Sequence, residues 1–445
     1  MAYYLLMCLI GMVSFGAIIG WKRVARWDSI AGFYLLCFFL TFFLRPWYIF
    51  QSNYLVLFQM LGIRPFHSWW SQDELALQMG LAVILGLVCF ALGYRKFAPL
   101  EFRSDEEVHL PADLQGKLVW LSLLLAGLGI ASILYFAPFP GIRDTHVAEW
   151  VSTPQGDGSG FLNTTGYVAE ISLFIIPAVV IFYLTTQRIF STLVISAPFI
   201  ILRLWWGYGR QGLVHIGLSL LLAAGLASGV SQRKKALAIF CAFLLLAGAA
   251  LSFGVLGENR SAVQVFVYTK TGPITKFYQT TADHYLYDLV GFEISLHWMK
   301  FTPAVFPYQW GSNYLYALFI LPIPRLLWPG KYNIFAPVAP SSSVNDMSYL
   351  RGSAVGCIGD AWMNGGWLGV IIIFALTGAI CALLQRAKDW RSLPITGLTL
   401  FICTYPMVIS LVRDGLSSLA PLLYFFGLPI MLTFLVERRY GHPRE

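Results

Sequence analysis

Eleven runs of apolar residues constrain this chain more than any other feature: 2–20, 30–44, 75–94, 118–137, 167–185, 189–205, 212–230, 236–256, 367–384, 393–412 and 419–436. Most are near the ~20 residues that carry a helix across a hydrocarbon core. In such a core the backbone must satisfy its own N–H and C=O groups, and a helix does this within one segment. Composition points the same way: the chain is 58% hydrophobic and only 12% charged, with mean hydropathy +0.68. A soluble domain of this size needs far more charge to cover its surface. The expected fold is an all-α polytopic membrane protein with about eleven transmembrane helices.

The net charge of +8 invites a nucleic-acid reading, but the cations are scattered and sit mainly at the ends of the apolar runs. Six connections are basic: 22–26, 95–117, Arg188, 231–235, 385–391 and the tail ERRYGHPRE. They alternate with gaps poorer in lysine, which by the positive-inside rule puts all six on the cytoplasmic side. With an odd number of spans, the N-terminus then lies outside and the C-terminus inside. The first run has no basic segment before it and no small-residue cleavage site, and reads as a retained span. Six of the seven cysteines fall in apolar runs and Cys357 does not; no disulfide framework or metal spacing is present.

One gap is unlike the others. Residues 258–366 separate the eighth run (the chain before it being 1–257) from the last three (367–445), and a structureless loop of that length would be unusual. It is rich in Trp, Tyr, Phe and Pro. Within it, 312–328 is apolar and aromatic but broken by Pro322 and Pro324, as expected of an interfacial or re-entrant helix. The expectation is a long outward loop, partly folded and functional.

Arginine stands out near the outward ends of the runs: Arg203, Arg210, Arg260, Arg325, Arg351 and Arg413. A charge in the interface is costly unless it is paired or serves a ligand. Guanidinium binds two phosphate oxygens at once and keeps its charge at any physiological pH. Such a cluster suits a lipid-linked phosphate or diphosphate, although an interfacial arginine also serves simply as a headgroup anchor. Arg210 lies in GYGRQG, where glycines let backbone N–H groups approach an anion, and Arg260 in GENRSA ends the run after next.

A second constellation is GSAVGCIGDAWMNGGWLG, residues 352–369, in which Asp360 is the only acid between Asp346 and Asp389. A carboxylate at the interface is costly when uncompensated. Either Arg351 or another cation pairs with it, or it works as a base. Asp283, His284, Asp288 and Glu293 have a spacing compatible with one helix face and read as an amphipathic segment with a solvated face. Trp205, Trp206, Trp310, Trp328, Trp362 and Trp367 suit an interfacial belt, or stacking on sugar rings. Phosphate-loop, dinucleotide and zinc-helix motifs are all absent, so no cofactor and no metal are expected.

From Arg203 to Leu384 the chain resembles the oligosaccharide repeat unit polymerases, the Wzy-type O-antigen and exopolysaccharide polymerases. The resemblance rests on GYGRQGLV opening one run, an arginine after the following run, and then LPIPRLLWPGK, SSS and GSAVGCIGDAWMNGGWLG in the long loop. The family often has Glu where this chain has Asp360. The resemblance implies a bacterial inner-membrane enzyme with a periplasmic loop. A glycan would leave undecaprenyl diphosphate there and join a new lipid-linked repeat unit without metal or cofactor. It implies Arg210 and Arg260 on the donor diphosphate and Asp360 as base, with Arg203, Arg325, Arg351, Asn364 and His284 on the substrate. Partners would be undecaprenyl-diphosphate-linked oligosaccharides, membrane lipids and a chain-length regulator, with no nucleic acid. An O-antigen ligase, whose base would be a loop histidine such as His284 or His297, is an alternative, as is a lipid-linked oligosaccharide flippase.

Overall fold

The computed structural model describes residues 2–47, 73–98, 110–136, 171–206, 210–227, 232–233, 235–244, 291–304, 306–320, 322–323, 355–390 and 392–441. Among the described residues every regular element is helical. The helices are α1 (Ala2–Ile19), α2 (Ile30–Phe39, continued by a π turn Leu40–Leu44), α3 (Asp73–Phe97), α4 (Ala112–Phe136), α5 (Ile175–Thr186), α6 (Ile189–Trp206) and α7 (Arg210–Leu226). After the long gap come α8 (Gly291–Phe301), α9 (Ser312–Leu315, continued by a π turn Tyr316–Ile320) and α10 (Cys357–Met363). The last helices are α11 (Gly366–Ala387), α12 (Pro394–Thr404), α13 (Met407–Asp414), α14 (Leu419–Phe425) and α15 (Gly427–Tyr440).

Among the described residues, five helical stretches are long and apolar enough to cross a membrane: Ile30–Trp47, Glu74–Phe97, Ala112–Leu134, Gly366–Ala387 and Pro394–Asp414. The pair Leu416–Phe425 and Gly427–Tyr440, bent by 47°, makes a sixth if it is taken as one span. Tyr3–Ile19, Ile171–Thr186, Ile189–Ile201, Gly212–Leu226 and Lys235–Leu244 are apolar helices of 10–17 residues. The described residues are thus all-helical, with the apolar helices of a membrane protein. Their outward faces carry exposed apolar side chains such as Leu6, Val13, Trp120, Leu124, Leu368, Ile372 and Leu376. Surfaces of this kind are stable against hydrocarbon and a liability in water. α5 is the exception, apolar on every side and buried along nearly its whole length, as a helix without a polar face must be.

Close backbone contacts set the packing. A Cβ at Gly93 would overlap the Ala375 carbonyl, and one at Gly378 would overlap the Phe90 carbonyl. Small residues therefore bring α3 and α11 together, the usual device where lipid gives helices no hydrophobic reason to associate. Met7 lies beside Gly80, Ile84 beside Gly11, and Phe374 beside Gly86. Arg95 Nη1 reaches Ile18 O at 3.5 Å, and Arg386 Nη2 reaches Ala98 O at 3.5 Å. These contacts fix α1, α3 and α11 as parallel. α2 runs the other way: the N–H of Ile30 donates to Gln385 Oε1 near the end of α11.

One end of the bundle is basic. Lys22, Arg23, Arg26, Arg95, Lys96, Arg386 and Lys388 gather there, and the start of α12 is tied to Glu437, just before Arg438 and Arg439. Glu437 Oε1 and Oε2 accept from the Ile395 and Thr396 N–H groups at 3.0 and 2.9 Å, capping a helix N-terminus from a distant helix. Buried Asp28 accepts from Arg26 at 3.0 Å and from the Lys388 ammonium.

Candidate functional site

The other end holds the second polar network. α11 is 22 residues long, so roughly 33 Å of helix separates the two ends. At this far end α10 folds back along the first turns of α11, with Gly369 against Ala361 and Asn364. Asp360 therefore lies about one turn inside the bundle. The N-terminus of α10 is fixed by the Gly356 N–H, which donates to Arg413 O at 2.7 Å, and by the Gly359 N–H, which donates to Ser295 Oγ at 3.0 Å. Ser295 Oγ in turn donates to Gly291 O at 2.6 Å, locking α10 to α8.

Asp360 is only 1% exposed. Its Oδ2 accepts from the Tyr314 hydroxyl at 2.8 Å and the Leu416 N–H at 2.9 Å, and its Oδ1 accepts from Asn313 Nδ2 at 3.2 Å. Asn364 braces the same group: its Nδ2 donates to Asp360 O at 2.8 Å and to the Tyr314 oxygen at 3.0 Å, while its Oδ1 accepts from the Gly311 N–H at 2.7 Å. Burial pushes the Asp360 carboxyl up to about 7 and outweighs the Tyr314, Leu416 and Asn313 hydrogen bonds that pull it down; the charge of Asp414 adds to the rise. Burial and then the Asp360 charge likewise push the Tyr314 phenol above its ordinary value. The result is a carboxyl group held by neutral donors and able to take up or release a proton near neutrality.

Asp360 and Asn364, four residues apart in and just after α10, are the two expected site residues that the structure joins: the Asn364 side chain donates to the Asp360 backbone carbonyl, and both side chains hydrogen-bond the Tyr314 hydroxyl. Among the described residues the partners of Asp360 are neutral, so the cation expected beside it is not among them. Arg203 lies in α6 and Arg210 opens α7. Gly225 of α7 packs on Trp27 near the basic end. Arg210, fifteen residues earlier and thus roughly 22 Å away, belongs to the Asp360 end. Gly212 packs on Phe199, so Arg203 shares that end. Arg260, Asp283, His284, Asp288, Arg325 and Arg351 lie outside the described residues, while His297 lies in α8.

Two sequence expectations are corrected. Glu293 is not on a solvated face: it is 3% exposed and bound to Arg45. The residues before it that would have shared its face gave no sign that a cation 248 positions away would meet it. Trp362 is not available to stack on a sugar, because it is buried with Nε1 donating to Thr302 O at 3.2 Å and its ring edge-on to Trp367. Trp310 is exposed at this end, as are Phe319 and Trp367, and its ring is edge-on to Tyr308 at 5.5 Å. The long loop is likewise drawn into the bundle where it is described: Phe292, Leu296, Met299, Ile358 and Ala361 are core residues. The 312–328 stretch is helical through Ile320.

Sequence reading missed Asn313, Tyr314 and the 413–416 turn. The only signal for the turn was an acid beside Arg413 followed by glycine at the end of an apolar run. No family model, no curated protein and no solved structure matches this chain.

Proposed function

We propose that this chain polymerises undecaprenyl-diphosphate-linked oligosaccharide repeat units at the periplasmic face of a bacterial inner membrane. The observation that carries this reading is the segregation of the two polar networks. A near-neutral carboxyl, Asp360, sits just inside the end of the bundle opposite the basic end, and the helix termini bearing Arg203 and Arg210 belong to the same end as Asp360. By the positive-inside rule the basic end is cytoplasmic, which makes the Asp360 end the outward one. The reading keeps the eleven apolar runs of the sequence as spans and puts the 258–366 segment on the outward side.

Acid–base and guanidinium groups at an outward membrane face match glycosyl transfer from a lipid diphosphate. The leaving group is a diphosphate, whose developing charge arginines stabilise without a cofactor, and a carboxylate takes the proton of the acceptor hydroxyl. Acceptor and donor are both lipid-linked, which suits a site opening to the membrane face rather than to a soluble domain. A chain-length regulator is the natural protein partner.

The test is the lipid-linked glycan profile of cells lacking the protein. Accumulated single repeat units with long chains absent support polymerisation. Long chains stranded on the carrier lipid would make it a ligase, and repeat units held on the cytoplasmic side a flippase. Arg210→Lys tests the donor site, since a lysine cannot bind two phosphate oxygens in a planar fork; full activity would rule that role out.

A further inference from the structure

The carboxylate expected from the sequence to act as base is poorly placed to do so. Asp360 is 1% exposed, and both its oxygens already accept hydrogen bonds from within the protein. A base must come within hydrogen-bond reach of the proton it removes. Asp360 would have to lose the Leu416 N–H or the Tyr314 hydroxyl first.

A second acid stands beside it. Asp414 closes α13, and two residues on, the Leu416 N–H caps Asp360. The side chains of Arg413 and Asp414 are 37% and 33% exposed. Arg413 Nε lies 3.7 Å from Asp414 Oδ1, longer than a hydrogen bond, and no hydrogen bond reaches the Asp414 carboxylate among the described residues. Two buried polar atoms of these residues and of the Asp360 network, Arg413 Nε and Asn313 Oδ1, make no hydrogen bond among the described residues. Unsatisfied groups of this kind mark a place where a water or ligand belongs. A partly exposed carboxylate and a partly exposed guanidinium thus stand on the turn whose Leu416 N–H is held by Asp360.

Resting on the polymerase reading above, we propose that Asp414 is the catalytic base and Arg413 a diphosphate ligand, and that Asp360 is a positioning residue that holds the 413–416 turn in place. The acceptor hydroxyl gives its proton to an Asp414 carboxylate oxygen as its own oxygen bonds to the anomeric carbon of the donor. The bond from that carbon to the diphosphate oxygen breaks, and its electron pair leaves with the diphosphate, where the Arg413 guanidinium meets the added charge. Asp414 then passes the proton to water. Asp360 acts through backbone: its Oδ2 fixes the Leu416 N–H, and the Arg413 carbonyl is fixed by Gly356 on the same α10 turn.

The experiment uses the full chain in lipid vesicles with a lipid-linked repeat unit as substrate, comparing D414N, D414E, D360N and R413Q. The Asp414 carboxylate has only the long, partly exposed approach to Arg413 to lose, and such a pair contributes little, so D414N should shift Tm little. It should lower kcat about 10²–10⁴-fold, the usual worth of a general base, with KM nearly unchanged and D414E recovering part of the loss. D360N should lose less activity than D414N and should shift Tm. A D414N protein turning over at the wild-type rate, or a D360N protein with unshifted Tm that loses more than D414N, overturns the assignment. Should the wild-type chain elongate nothing, the polymerase reading fails separately. Arg413 is then judged by binding of undecaprenyl diphosphate, and R413Q binding it as tightly as the wild type overturns the site itself.

Discussion

Arg45 and Glu293 meet across 248 residues of sequence in a buried ion pair, with Arg45 Nη2 2.7 Å and Nε 2.8 Å from the same oxygen, Glu293 Oε1. Their side chains are 2% and 4% exposed. The π turn at Leu40–Leu44 delivers Arg45 to this position. It also turns the Phe42 carbonyl toward the Tyr4 hydroxyl, which donates to it at 2.6 Å. The pair pins α8 to α2, and α8 in turn holds α10.

Breaking this pair on one side removes the opposite charge that offsets the burial of the other. Arg45→Ala or Glu293→Ala should each cost about 3–5 kcal/mol, whereas the double replacement R45M/E293L should regain most of that loss because both charges leave together. Thermal unfolding in detergent measures this. Equal and additive losses in the singles and the double would show that the two side chains act independently.

Asp360 makes stability depend on pH in a direction opposite to an ordinary surface carboxylate. Its folded-state value, about 7, lies above the roughly 4 of an unfolded chain. Its contribution is therefore complete below pH ~4 and is lost as pH rises through ~7. Asp360→Asn should remove that slope. The new amide is accommodated by rotating Asn313, whose Oδ1 has no partner now and would then accept from Asn Nδ2. The Tm of D360N relative to wild type should be more favourable at pH 8 than at pH 4; an identical difference at both would mean that burial does not perturb this carboxyl.

Gly415 has φ +81°, and a Cβ there would overlap the Asp360 carboxylate. Gly415→Ala should cost about 1–3 kcal/mol from backbone strain alone and should displace the Leu416 N–H, with loss of glycan elongation. Gly116→Ala is the control: it lies in α4 with open space around it, and should be neutral or stabilising by up to ~1 kcal/mol. Equal Tm values for the two variants would refute the close approach of Gly415 to Asp360.

At the basic end the sign reverses. Burial raises the Asp28 carboxyl, but hydrogen bonds from Arg26 and Lys388, with their charges, outweigh it and leave it below the ordinary carboxylate range. That stability is present above pH ~4 and is lost as pH falls through the folded value. Asp28→Asn should lower Tm at pH 7 by the equivalent of about 3–5 kcal/mol, as for a broken buried pair. The difference from wild type should shrink under strong acid; a difference that persists there would exclude charge as its source.

The class of the protein is legible from the residues alone. Runs such as 75–94 and 367–384 are too apolar and too evenly spaced for anything but membrane-seeking helices, because period and hydropathy are local properties. The sequence also marked Asp360, the only acid between Asp346 and Asp389, while Asn364 was marked only by the resemblance of 352–369 to a polymerase motif. Only the tertiary structure decided their neighbours. Nothing local links Asn313 or Tyr314 to Asp360, or Arg45 to Glu293, because each pairing is made by helices that meet across gaps of 46 or more residues. The apolar face that buries α8 is visible in the sequence, but which cation awaits its one acid is not. The same holds for Asp414: its sequence position shows an acid at a helix end, while its openness beside a saturated Asp360 exists only once α10 and the 413–416 turn are folded together.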